Sequence, residues 1–176
     1  MEMKDVLEKA ARVRLLLFDV DGVLTDGSLF YGDDGQEYKA FNSRDGHGIA
    51  MLNRHRCVEI GIITGRTSEV VNHRVKNLGI RHVYQGQRNK VPAFEELCSR
   101  LDIAPEAVAY VGDDVVDLPV MRRVGLAIAV QDAHPFVKKH AHWITPNPGG
   151  RGAARDVCEL LLEAHGLLQQ ELDSYL

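Results

Sequence analysis

Six short apolar runs, separated by longer amphipathic stretches, constrain this chain before any single residue does. The runs are Val13–Phe18, Val58–Ile63, His82–Tyr84, Val108–Val111, Leu126–Val130 and Trp143–Thr145. These read as largely continuous apolar runs rather than alternating ones, the pattern of strands covered on both faces. Helical patterns fall between them at Gly48–Arg56, Ser68–Leu78, Lys90–Leu101, Asp117–Val124, Pro135–His140 and Ala153–His165. Regular alternation of this kind predicts an α/β fold, a doubly wound and mainly parallel sheet, in one domain over residues 1–176. One segment breaks the rhythm. In "DGSLFYGDDGQEYKAF" two β-prone runs, Ser28–Tyr31 and Glu37–Phe41, are joined through "GDDG", which predicts a projecting hairpin.

Composition narrows the partners. The formal net charge is −4, so no global basic footprint for nucleic acid exists. No apolar stretch approaches the roughly 20 residues that cross a bilayer. The opening "MEMKDVLEKAARVR" mixes acids and bases, unlike a secretory signal, which leads to the expectation of a cytoplasmic protein with neither nucleic-acid nor membrane partners. Cys57, Cys98 and Cys158 are far apart and form no CxxC pair, so neither a disulfide framework nor a zinc site is expected.

The chemistry gathers at the ends of the runs. Asp19 and Asp21 follow the first, Thr64, Gly65 and Arg66 the second, and Asp113, Asp114 and Asp117 the fourth; Lys90 lies just past the third. Parallel strands end on one edge, so these groups can converge there. Several carboxylates in one place repel and would be forced to protonate. A hard divalent cation resolves the conflict, and Mg²⁺ needs only one or two carboxylates together with water and substrate phosphate. Asp19 and Asp113 are the expected ligands, with the Asp21 peptide oxygen as a third. Lys90, the Thr64 hydroxyl and the backbone at Gly65 suit a phosphate. Phosphoryl transfer then follows, with Asp19 as nucleophile and Asp21 as general acid and base.

These motifs resemble the haloacid dehalogenase superfamily of phosphotransferases. "DVDGVLTDG" is similar to its first motif, "IITGR" to its second, Lys90 to its third and "GDDVVDLPVM" to its fourth. The compact spacings from Asp21 to Thr64 and from Thr64 to Asp113 leave no room for a cap domain, which points to the capless branch. The resemblance implies a Mg²⁺-dependent phosphatase acting on an eight-carbon sugar-acid phosphate in lipopolysaccharide precursor synthesis. It implies a homotetramer whose neighbouring subunits cover the site. By motif, Asp114 and Asp117 become supporting acids, while Asn42, Ser43, Arg44, Asp45 and Gly46, with Arg66 and Arg74, meet the sugar acid. Arg66 and Arg74 are eight residues apart, two helical turns, so one helix face could present both to a carboxylate. The hairpin and Arg151, in "GGRG", are expected to serve as a lid for a neighbouring site.

Three other readings compete. A nine-carbon sialic-acid-type 9-phosphate is the alternative substrate; the sister phosphatase carries glutamate where this chain has Arg66. A non-catalytic regulatory domain of the same fold would be expected to lack one of the acids, and here both Asp19 and Asp21 are present. A phosphoacceptor receiver domain would carry its accepting aspartate after the third strand, where this chain has "QGQ".

Overall fold

The computed structural model describes residues 2–176. In chain order its elements are α1 (Met3–Ala10), β1 (Leu15–Phe18), β2 (Phe30–Tyr31), β3 (Glu37–Tyr38), α2 (Ser43–His55), β4 (Glu59–Ile63) and α3 (Glu69–Asn77). There follow β5 (His82–Tyr84), α4 (Val91–Leu101), β6 (Val108–Gly112), α5 (Leu118–Met121), β7 (Leu126–Ala129), α6 (Pro135–His140), β8 (Trp143–Ile144), α7 (Ala153–Ala164) and α8 (Leu168–Asp173). Six strands form one parallel sheet in the order β5-β4-β1-β6-β7-β8. β1 is therefore central, flanked by β4 and β6. Leu15, Leu16, Leu17 and Phe18 are all 0% exposed. Each such side chain contributes roughly 1.5–3 kcal/mol by leaving water, and this explains why the run tolerates no polar residue until Asp19.

The sequence expectation is met for all six strands, with ends shifted by a residue or two. The helices depart from it more. α2 begins at Ser43, five residues early, because the Asn42 side chain accepts the N–H groups of Arg44 and Asp45 and nucleates the first turn. Two glycines in "SRDGHG" hide that start. Gly48 is there for packing: a Cβ would lie 2.8 Å from the Arg155 side chain on α7. α5 is shorter than expected, four residues after a 3-10 turn at Val115–Asp117. α1 and α8 were not expected; α1 buries Val6 and Ala10, and α8 buries Glu171. The hairpin is present but reduced to β2 and β3, paired antiparallel as Phe30 with Tyr38 and Tyr31 with Glu37. Among the described residues, no helix is long and apolar enough to cross a membrane.

Candidate active site

The ends of β1, β4 and β6 bring three polar loops together. The Asp19 N–H still donates to the Val111 carbonyl at 3.0 Å, so the first carboxylate is mounted on the last rung of the sheet. One oxygen each from Asp19, Asp113 and Asp117 can be chosen so that all lie within 4.8 Å of one another. Asp19 and Asp117 are 6% and 0% exposed.

Lys90 is the counter-charge. Its ammonium lies 2.9 Å from Asp19 and 2.7 Å from Asp117, and it also donates to the Tyr110 hydroxyl at 3.1 Å. Tyr110 in turn donates to Asp117 Oδ1 at 2.7 Å. The other oxygen, Oδ2, accepts the backbone N–H groups of Asp113 at 3.0 Å and Asp114 at 3.3 Å. With four donors already on its two oxygens, Asp117 supports the loop and is poorly placed to serve a cation directly.

Asp19 and Asp113 are different. Burial and the Asp117 charge push Asp19 up to about 6 even though Lys90 pulls it down. Burial with Asp117 and Asp19 nearby pushes Asp113 up to about 8. One lysine cannot neutralise this group of acids, and a further positive charge would relieve the repulsion between them. A hard oxygen-seeking divalent cation between Asp19 and Asp113 fits that donor set. Glycine makes the approach possible. Gly22 has φ +93°, and a Cβ there would lie 2.1 Å from Asp113 Oδ2. From the far side the loop is gripped by "PGG": a Cβ on Gly149 would sit 1.8 Å from the Gly22 carbonyl oxygen, and the Gly150 N–H donates to the Val23 carbonyl at 2.8 Å.

A cavity of about 320 Å³ opens over these groups. Of the residues singled out from the sequence, Asp19, Asp21, Thr64, Gly65, Arg66, Lys90, Asp113 and Asp114 line it, joined by Gln87, Arg88 and Val116. A larger cleft of about 770 Å³ lies among Arg56, Glu59, Lys76 and Gly79, away from every clustered acid, so volume alone does not mark the chemistry.

Several expectations are not met by the placement. Arg66 precedes α3 and Arg74 lies within it, so the two do not share a helix face. Arg66 turns toward the hairpin, donating to Glu37 at 2.9 Å and to the Tyr31 hydroxyl. Arg74 donates to the Asn42 carbonyl at 3.2 Å and lies over the Phe41 ring. Asn42, Asp45, Gly46 and Arg74 line a separate crevice of about 10 Å³. The reason is helix capping. Asn42 caps α2, and Asp45, 2% exposed, reaches across to accept the N–H groups of Gly152 at 3.3 Å and Arg155 at 3.0 Å at the start of α7. Ser43 and Arg44 form the first turn of α2 and are likewise absent from the cavity wall. Arg151 is exposed and pairs with Asp26 at 3.3 Å, outside the cavity lining.

Two residues of this network escaped the sequence reading. Tyr110 sits inside a strand and reads as core. Lys39, beyond β3, reads as a surface residue, yet its side chain is 0% exposed and its ammonium is 2.5 Å from Asp21 Oδ1 and 3.6 Å from Glu37. The only available signal was a lone lysine one residue past a hairpin strand that starts near the first acids.

The haloacid dehalogenase-like hydrolase family profile matches residues 63–155. Over 171 residues the chain is 53% identical to the 3-deoxy-D-manno-octulosonate 8-phosphate phosphatase of Escherichia coli K12, covering 94% of this chain and 88% of the relative. The crystal structure of the phosphatase of that name from Yersinia pestis superposes with a TM-score of 0.92 at 50% identity, covering 94% and 89% of the two chains. That from Moraxella catarrhalis, a complex with magnesium, phosphate and a KDO molecule, superposes with a TM-score of 0.97 at 38% identity, covering 99% and 100%.

Proposed function

The chain belongs to the haloacid dehalogenase-like hydrolases, and we propose that it is a magnesium-dependent phosphatase hydrolysing 3-deoxy-D-manno-octulosonate 8-phosphate to the free sugar acid and inorganic phosphate. The observation that carries the reading is the gathering of Asp19 and Asp113, their carboxylate oxygens within 4.8 Å, with Lys90 paired to Asp19 and a second acid two residues on from the first.

Asp19, Asp113 and the Asp21 peptide oxygen would hold the cation, which when bound supplies charge neutralisation to the phosphoryl oxygens. Lys90, the Thr64 hydroxyl and the Gly65 backbone take the remaining phosphoryl oxygens. An Asp19 oxygen attacks phosphorus while the bond from phosphorus to the C8 oxygen breaks, and Asp21 gives that oxygen its proton. Water then attacks the aspartyl-phosphate, Asp21 recovers a proton from it, and phosphate leaves with Asp19 restored. Splitting one displacement into two gives the slow monoester cleavage two lower barriers. Arg66 lies at the mouth, where a guanidinium fork suits the sugar carboxylate.

The same reading covers setting and assembly. The product feeds lipopolysaccharide synthesis in the cytoplasm, and the enzyme works as a homotetramer. Phe30, Tyr31 and Tyr38 are 53%, 59% and 55% exposed, an apolar arm of the kind that self-association covers. With Arg151 nearby on the loop side, this arm would roof a neighbour's cavity in place of a cap. Asp114, at the rim, and Asp117 act as supporting acids.

The test is phosphate release from a panel of sugar phosphates, with magnesium present or chelated, for the wild type and for Asp19→Asn and Asp21→Asn. Turnover confined to the eight-carbon substrate, lost with the cation and in both variants, is the expected result. Equal rates on a nine-carbon 9-phosphate would remove the substrate assignment, and normal turnover by Asp19→Asn would remove the mechanism.

A further inference from the structure

We propose that Lys39 is a positioning residue for the proton-transfer step: it fixes the Asp21 carboxyl so that the proton donor faces the leaving oxygen, and it ties that geometry to the hairpin. This rests on the reading of Asp21 as general acid.

A lysine side chain fully shielded from water needs an anionic partner, because an unpaired ammonium in that position is costly. Lys39 has two, Asp21 Oδ1 at 2.5 Å and Glu37 at 3.6 Å. Glu37 is shared with Arg66, at 2.9 Å, and Arg66 Nε stands 4.0 Å from the other Asp21 oxygen, Oδ2. The result is a chain of alternating charges running from the catalytic loop into both hairpin strands, with Tyr31 bound to Arg66 at its end.

The geometry divides the two oxygens of Asp21. Oδ1 accepts from a lysine with no freedom to move into solvent. Oδ2 has only a loose neighbour, the Arg66 guanidinium at 4.0 Å, so it is the oxygen left to carry a proton. In the cleavage step that proton passes from Oδ2 to the C8 oxygen as the phosphorus–oxygen bond breaks, and Lys39 keeps all of its own protons. A carboxyl free to rotate would spend part of its time with the wrong oxygen forward. Without Lys39, Asp21 remains present but loses the contact that orients it.

The experiment uses the leaving group as its readout. A sugar alkoxide is a poor leaving group and needs a proton, whereas p-nitrophenolate departs without one. Lys39→Met, Lys39→Arg and Asp21→Asn are assayed with magnesium on the sugar-acid 8-phosphate and on p-nitrophenyl phosphate, the latter read as the burst of the first equivalent of p-nitrophenolate, because clearing the aspartyl-phosphate needs Asp21 whichever substrate formed it. For Lys39→Met, kcat on the sugar phosphate is expected to fall roughly 10–100-fold, the scale of a misplaced acid–base group. Its KM and its p-nitrophenyl phosphate rate should stay within about twofold of wild type. Lys39→Arg should recover part of the loss, since it retains the charge. Equal losses on both substrates would overturn the proposal in favour of a structural role, as would a change in KM alone in favour of substrate binding. If Asp21→Asn itself shows no preference between the two leaving groups, the general-acid reading of Asp21 falls, and that failure is separable from a failure of Lys39.

Discussion

Lys90 Nζ lies 2.7 Å from Asp117 Oδ1 at the floor of the cavity, with 2% and 0% of the two side chains exposed. The pair fixes where the phosphate-binding charge stands, since Asp117 is itself held by the Tyr110 hydroxyl and two backbone N–H groups.

Removing Asp117 should therefore harm both fold and rate. Asp117→Ala leaves Lys90 with Asp19 alone and takes the acceptor from the Tyr110 hydroxyl and two backbone N–H groups, and is expected to cost about 1–3 kcal/mol in denaturant unfolding. Asp117→Asn keeps the shape but loses the charge. Its kcat should fall roughly 10–100-fold, as for other residues that orient a reacting group. A variant with wild-type kcat would show that Lys90 needs no second partner.

Gly22→Ala should weaken the cation site specifically. The new methyl must displace the Asp113 carboxylate, and φ +93° is itself strained for alanine. The half-saturating magnesium concentration is expected to rise roughly 10–100-fold. Titrating activity against magnesium separates this from a simple loss of folded protein, which would lower the plateau only.

Magnesium should also stabilise the fold. At a hundredfold excess over its dissociation constant a ligand adds about 2.7 kcal/mol, which is measurable as a rise in Tm that Asp113→Asn abolishes. In chelator the order reverses at alkaline pH. Because Asp113 is raised from 3.8 to about 8, the folded state holds its proton more tightly, so its contribution to cation-free stability is complete only below 3.8 and is lost as pH climbs from there through 8. Asp113→Asn escapes that fall, and should melt above the wild type in chelator at pH 8.

Acid should act through a different residue. The Ala127 N–H at the head of β7's partnering donates to His142 Nδ1 at 2.9 Å, and burial together with Lys9 lowers the histidine below its usual 6.5. The unfolded chain binds the proton first, so this contribution is complete above pH 6.5 and is lost as pH falls through the depressed value. His142→Asn keeps an acceptor without a titration. Its Tm difference from wild type should shrink between pH 7.5 and pH 5; a constant difference would clear His142 of any part in acid sensitivity.

The sheet and its polar rim were readable because they depend on local facts. Runs such as Leu15–Phe18 are too apolar to lie anywhere but inside, and parallel strands force Asp19, Thr64 and Asp113 to one edge whatever the loops do. What stayed hidden depends on contacts between distant segments. Asp45 looked like a ligand for substrate because nothing near it in sequence says that α7, more than a hundred residues later, begins against it. Arg66 and Arg74 looked like one face because eight residues make about two helical turns, although Arg66 lies ahead of even the expected helix start at Ser68. Lys39 looked exposed because hairpin lysines usually are, and only its pairing with Asp21 draws it inward.

The glycines at 149 and 150, pressed onto the backbone of residues 22–26, make the acid-bearing loop depend on a segment far along the chain. All six strands of the sheet precede Gly149, so the loop bearing both acids is backed by a segment laid down after the sheet is complete in the chain. The turn that closes over Gly22 follows the last strand in the chain, so a chain ending at Ile144 would hold every strand of the sheet and still lack the backing of its acid-bearing loop.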